Sequence, residues 1–158
     1  LGASFNLSKE PVRISDNIMT TGEIEMVTDY ETIDDRLYIK KGDKLIPDPM
    51  ADDLALIVRT EEGLILITGC AHRGIINTVK HVQKLTDAEY IHTLIGGMHL
   101  MVASPERIER TASELKKLCL QRLGVSHCTG LPAAVKLSKA FGDRFFFNNA
   151  GTRITIED

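Results

Sequence analysis

No stretch of the 158-residue chain approaches eighteen consecutive apolar residues, which excludes a transmembrane helix and sets the expectation of no membrane partner. Cysteine is scarce. The three present, Cys70, Cys119 and Cys128, are odd in number and lack disulfide-framework spacing. That excludes a disulfide-stapled scaffold and points to a reducing, cytoplasmic compartment. The absence of Cys-x-x-Cys argues against a closed structural zinc site. A basic excess is lacking too. Lys+Arg 19 against Asp+Glu 22 gives a net charge of −3, and with no basic cluster this argues against nucleic acid as a partner. The opening residues Leu1 to Asn6 carry neither an initiator Met nor a basic-then-apolar leader. They read as the interior of a longer chain rather than as a signal peptide. What remains, 43% hydrophobic and 26% charged residues, is the composition of a globular domain or part of one.

Segments 3–7, 11–14 and 23–27 alternate apolar and polar residues between turn signals, predicting short antiparallel strands. Residues 29–53 read as loop, with Tyr38-Ile39 and Leu45-Ile46 as apolar islands. The runs 54–58 and 64–68 predict a hairpin buried on both faces. A helix is expected after Gly74 to Leu85, then a strand from Tyr90 to Ile95 ending at Gly96-Gly97. Ser104-Pro105-Glu106 is a helix start. That helix carries Ile108, Ala112, Leu115, Leu118, Cys119 and Leu123 on one stripe and stops at Gly124, which places Cys119 in the core. A short strand at Val125, a helix from Thr129-Gly130-Leu131-Pro132 to Phe141, and strands at 144–147 and 152–156 follow. Strands alternating with helices give an α/β layered class.

Three of the five histidines directly follow strands, with Gly or Cys beside them: His72, His99 and His127. Strand ends of layered α/β folds gather site residues, because rigid strands there present exposed loops. Imidazole and thiolate are both metal ligands. A lone strand-end histidine is more often structural, but three in one kind of place weigh against that. His81 and His92, inside a helix and a strand, read as structural. Cys70 lies two residues from His72, so an extended segment points both to one side, whereas Cys128 points away from His127. The helix starts at Gly74-Asn77 and Thr129-Gly130 offer backbone N–H groups to a substrate anion.

Thr68-Gly69-Cys70-Ala71-His72-Arg73-Gly74, Ile95-Gly96-Gly97-Met98-His99 and His127-Cys128-Thr129-Gly130 resemble, in order, one branch of the metallo-β-lactamase-fold hydrolases. That branch includes the dihydropterin-ribofuranosyl-aminobenzene-phosphate synthases. The resemblance implies the C-terminal portion of a four-layer αββα sandwich. The family's His-x-His-x-Asp-His signature is absent, so an N-terminal half from the same or a separate chain is the implied partner. It further implies metal ligation by His72 and His127 and a catalytic, substrate-facing role for His99. Cys70 stands where many relatives have a bridging Asp, and Asp53 is placed to orient a histidine. The implied cofactor is a divalent metal, zinc foremost, with iron or manganese as alternatives.

The leading expectation is a metal-dependent enzyme acting on a small phosphorylated substrate, this chain supplying part of the site. The alternative is a metal-free binding module. Homo-oligomerisation stays open, and fold alone does not fix the reaction.

Overall fold

The apolar runs form a sheet, and the helical stretches between them cover it. The structure, a computed structural model, describes residues 2–155. In chain order its elements are β1 (Ile18–Thr20), β2 (Tyr38–Lys41), β3 (Lys44–Pro47), β4 (Ala55–Thr60), β5 (Gly63–Thr68) and α1 (Ile75–Thr86). Then come β6 (Ile91–Gly96), α2 (Pro105–Lys117), β7 (Arg122–Val125), α3 (Leu131–Phe141) and β8 (Phe145–Phe147). A six-stranded sheet runs β1-β4-β5-β6-β7-β8, and β2 pairs with β3 separately. The first three strands of that order are antiparallel; β5 to β8 are parallel. Each parallel step needs a crossover, and the helices supply them. Right-handed crossovers that advance one strand at a time in one direction put every helix on the same face. The contacts of α2 with both α1 and α3 agree.

Ile57, Leu66, Leu94 and Leu123 share the helix-facing side and are fully buried in a core with Ile75, Val79, Leu115 and Leu137. The opposite side carries Leu56, Val58, Ile65, Ile67 and Ile95, all half-buried. The expectation of strands buried on both faces is therefore corrected. One face lies under helices, and the other is only partly covered, with Phe146 lying across Gly124. In an αββα arrangement a second sheet packs on such a face.

The N-terminal third builds fewer strands than its alternation predicts. Residues 3–7 and 23–27 are irregular, and Arg13 makes a single bridge to Met19. The reason is where their backbone donors go. The N–H groups of Val27 and Thr28 both donate to Asn77 Oδ1 at 2.8 Å, and that of Glu25 donates to His81 Nδ1 at 3.3 Å. Donors satisfied by α1 side chains need no neighbouring strand. The apolar islands at 38–39 and 45–46 pair instead, as β2 with β3.

Helix α2 begins as predicted, with Ser104 Oγ accepting the Arg107 N–H at 3.2 Å and Pro105 in the first turn. It ends at Lys117, and Leu123 belongs to β7. Cys119 falls in the connection, exposed and at φ 53, which overturns its assignment to the core. Apolar spacing ceases to mark a helix face once the chain turns at Leu118. Cys119→Ala is accordingly expected to change unfolding free energy by less than about 0.5 kcal/mol, as surface substitutions do, rather than by the ~1 kcal/mol of a core deletion. Urea denaturation checks this. Residues 152–155 form no strand, and Leu1 and Ile156 lie outside the described residues. Among the described residues no helix is long and apolar enough to cross a membrane.

Candidate metal centre

Because β5, β6 and β7 are parallel, their C-terminal ends share one edge, and the loops leaving them are sewn together through backbone. Gly97 N–H donates to Gly69 O and Ser126 N–H to Gly96 O, both at 3.0 Å. Met101 N–H donates to Cys128 O at 3.0 Å, and Thr68 Oγ1 donates to Gly97 O at 2.9 Å. Each loop holds one non-glycine residue in the left-handed region: Ala71 at φ 55, His99 at φ 46 and His127 at φ 49. Such strain persists only where the surroundings over-determine it, and it clusters at functional sites.

Two groups of side chains rise from this edge. Cys70 Sγ lies 3.4 Å from His127 Nδ1, and the ligand atoms of Cys70, His127 and Cys128 all lie within 4.8 Å of one another. Metal–sulfur and metal–nitrogen bonds of ordinary zinc length, set at the tetrahedral angle, separate S from N by roughly 3.6 Å. The Cys70–His127 spacing fits. Cys128 was expected to point away. The segment His127–Thr129 forms a 3-10 turn rather than a strand, and this swings Cys128 toward the same point. The second group is His72 and His99, whose ring centroids are 4.2 Å apart at 47°. His72 Nδ1 and His99 Nε2 are buried with no hydrogen-bond partner among the described residues. Unpartnered buried ring nitrogens are costly in a purely structural role.

Burial, then the neighbouring charges of His72 and Arg107, pulls His99 below the ordinary histidine range, which favours the neutral imidazole. Burial pushes the Cys128 thiol up to about 11. Asp53 is raised by burial, against the pull of the Arg73 N–H that its Oδ2 accepts at 2.8 Å. Through that bond Asp53 grips the backbone directly after His72. Arg73, almost fully buried, continues the tie through Glu23 Oε1 at 2.8 Å, Pro49 O at 2.9 Å and Ile24 O.

The anion role expected of Gly74 and Asn77 fails for a clear reason. Glu31, 1% exposed, already occupies the α1 N-terminus, accepting the Ile76 N–H at 2.9 Å and the Asn77 N–H at 2.7 Å. Gly74 is required there, because a Cβ would collide with the Glu31 side chain. Asn77 spends its own amide on Arg73 O and on the 27–28 backbone. Thr129 and Gly130 do line a cavity of about 230 Å³ beside His127, and Thr129 Oγ1 has no partner among the described residues. His81 and His92 lie apart from this edge. His81 bonds Thr21 O and the Glu25 N–H, and His92 bonds Thr93 Oγ1. Sequence reasoning missed Cys128 and Glu31. A turn after His127 was signalled by Gly130 and Pro132; nothing local signalled Glu31, more than forty residues from its partners.

No family model matches the chain. It is 36% identical over 157 residues to the 7,8-dihydropterin-6-methyl-4-(beta-D-ribofuranosyl)-aminobenzene-5'-phosphate synthase of Methanocaldococcus jannaschii, covering 96% of this chain and 52% of that protein. A crystal structure of a metal-dependent hydrolase of the β-lactamase superfamily superposes with a TM-score of 0.84 at 27% identity, covering 98% of this chain and 59% of that one. The chain has the metallo-β-lactamase-superfamily fold. An uncharacterized protein of M. jannaschii is 33% identical over 154 residues, covering 98% of this chain and 56% of its own length. The chain thus spans about half the length of the curated relatives it matches. Within this superfamily fold the candidate centre stands at the edge formed by the β5, β6 and β7 termini, and the superfamily's His-x-His-x-Asp-His signature is absent from the 158 residues.

Proposed function

We propose that this chain is the C-terminal portion of a metal-dependent enzyme acting on a small phosphorylated substrate. Its N-terminal portion, on the same or a separate chain, completes the site and covers the half-buried face of β4 and β5. The observation that carries this reading is the Cys70–His127 pair at 3.4 Å, with the unpartnered His72–His99 pair on the same edge. His127 and Cys70 hold the metal, His72 stands beside it as a further ligand, and Cys128 backs the thiolate. A thiolate–imidazole donor set favours zinc over iron or manganese. A divalent ion bound by these residues would supply Lewis-acid chemistry, lowering the pKa of a bound water toward neutrality or polarising a substrate oxygen. His99, kept neutral by burial, presents Nε2 to hydrogen-bond the substrate or move a proton. Three free cysteines fit a reducing, cytoplasmic setting.

Two kinds of support come from relatives. One matched protein is a synthase whose name carries a 5'-phosphate, and another is a metal-dependent hydrolase. Elemental analysis of the complete protein, purified without chelators, tests the reading. About one or more equivalents of zinc, iron or manganese is the expected result, and metal-free protein overturns it.

A further inference from the structure

Two of the three cysteines meet across the candidate centre. Cys70 leaves β5 half-buried, and Cys128 lies buried in the 3-10 turn that follows β7. Their Sγ atoms stand within 4.8 Å of each other, and Cys128 Sγ donates to Cys70 O at 3.5 Å. We infer that Cys70 and Cys128 form a redox-modification site, in which a small peroxide oxidises Cys70 and Cys128 then closes a reversible disulfide. The inference goes beyond the function proposed above, and only its consequence for the metal rests on that reading.

Geometry brings the sulfurs together. A change of χ1 rotamer covers the gap that remains between them. Gly97 keeps that space open, because a Cβ there would stand 2.8 Å from Cys128 Sγ and 3.3 Å from Cys70 Cα. The loops that carry the pair are fixed by Gly97 N–H on Gly69 O and Met101 N–H on Cys128 O. Exposure sets the order of events. Cys70 is the more open thiol, and its Sγ lies 3.4 Å from His127 Nδ1, a base for its proton. Its sulfur gives two electrons to the peroxide: an S–O bond forms, the O–O bond breaks, and the thiol proton leaves with the departing oxygen as water or alcohol. Cys128, 8% exposed, is shielded from peroxide but not from Cys70. Its sulfur attacks the Cys70 sulfenic acid, the S–S bond forms as the S–O bond breaks, and the Cys128 proton leaves with the hydroxide as water. One peroxide is consumed for two thiols, and an incoming thiol reverses the bond by exchange. Cys119 is the contrast. It is exposed, but it precedes β7 whereas Cys128 follows that strand, so it stands at the opposite end from the pair. Exposure alone favours oxidation at Cys119; the pair geometry favours Cys70.

The test treats the complete protein, kept in chelator, with hydrogen peroxide, alkylates the remaining thiols and maps the peptides by mass spectrometry. A Cys70–Cys128 disulfide is expected, reversed by dithiothreitol and formed at least tenfold faster than Cys119 is oxidised. In Cys128→Ser the reaction should stop at a Cys70 sulfenic acid that dimedone traps, and in Cys70→Ser residue 128 should stay a thiol. Urea should abolish the selectivity and bring Cys119 into the products. The proposal is overturned if Cys70 and Cys128 stay thiols while Cys119 oxidises, or if Cys119 disulfides form without urea. Unpaired Cys70 sulfinic acid in the wild type, or equal pairing in urea, overturns it as well. Zinc-loaded protein should form the disulfide at least tenfold more slowly and release its zinc to a chromophoric chelator as it does so. The two readings fail separately. Protein that binds no metal but still pairs its thiols loses the metal enzyme and keeps the redox site, and metal-binding protein whose chelated form leaves both thiols free does the reverse.

Discussion

Replacing His127 with alanine is expected to lower the metal affinity of the complete protein by more than about 100-fold, the upper end of what losing a group behind the ligands costs. The argument is geometric. Among the described residues His127 supplies the one imidazole within 4.8 Å of both thiols in the Cys70–His127–Cys128 group, so no neighbouring ring stands ready to take its place. Alanine leaves two thiols, one of them held protonated by burial up to about 11. His99→Ala is the contrasting variant: it should retain metal while losing turnover, because His99 pairs with His72 and not with the sulfur group. Competition against a chromophoric chelator measures both. Equal metal affinity in wild type and His127→Ala would remove His127 from the ligand set, and an emptied site in His99→Ala would add His99 to it.

Glu31→Ala is expected to cost about 3 kcal/mol of stability, because two buried N–H groups left without partners cost roughly 1–3 kcal/mol each. The part recovered by no longer burying a charge reduces the sum. Burial holds the Glu31 carboxyl above the ordinary range, against the pull of the Ile76 and Asn77 N–H groups. Those residues open a helix whose first turn is buried, so water cannot replace the lost oxygens. A domain is stable by only about 5–15 kcal/mol, and this loss is a large part of it. Urea unfolding measures the change. A midpoint within error of wild type would mean that the helix start relaxes to find other acceptors.

Where the sequence succeeded, the deciding physics was local. The continuous apolar runs at 54–58 and 64–68 and the Ser104-Pro105 helix start act within a few residues, and the hairpin and the helix stand where they were read, although the hairpin is buried on one face only. The gathering of His72, His99 and His127 on one edge followed from the parallel crossovers. What escaped was long-range. Glu31 capping α1, Asn77 capturing the 27–28 backbone and Arg73 tying four segments together join residues some 20 to 50 apart in sequence. No pattern within a window encodes them. The misplaced Cys119 shows the converse, an apolar spacing that continued past the point where the helix had ended.

The glycines of the site edge divide its positions by how freely evolution can revise them. A Cβ on Gly96 would run into Thr68 O, and one on Gly97 would strike Gly69 O and approach Cys128 Sγ to 2.8 Å. Neither position admits a larger residue without moving backbone that three strands share. Of the donor positions, 70 and 128 meet the Gly97 approach through Cys70 Cα and Cys128 Sγ, whereas 72, 99 and 127 are not among the nearest contacts of either glycine. Divergence in chemistry is thereby channelled into the donors while the frame is held fixed. Exchanging thiolate for carboxylate at position 70 changes the donor set, whereas any side chain at position 96 or 97 moves the frame itself.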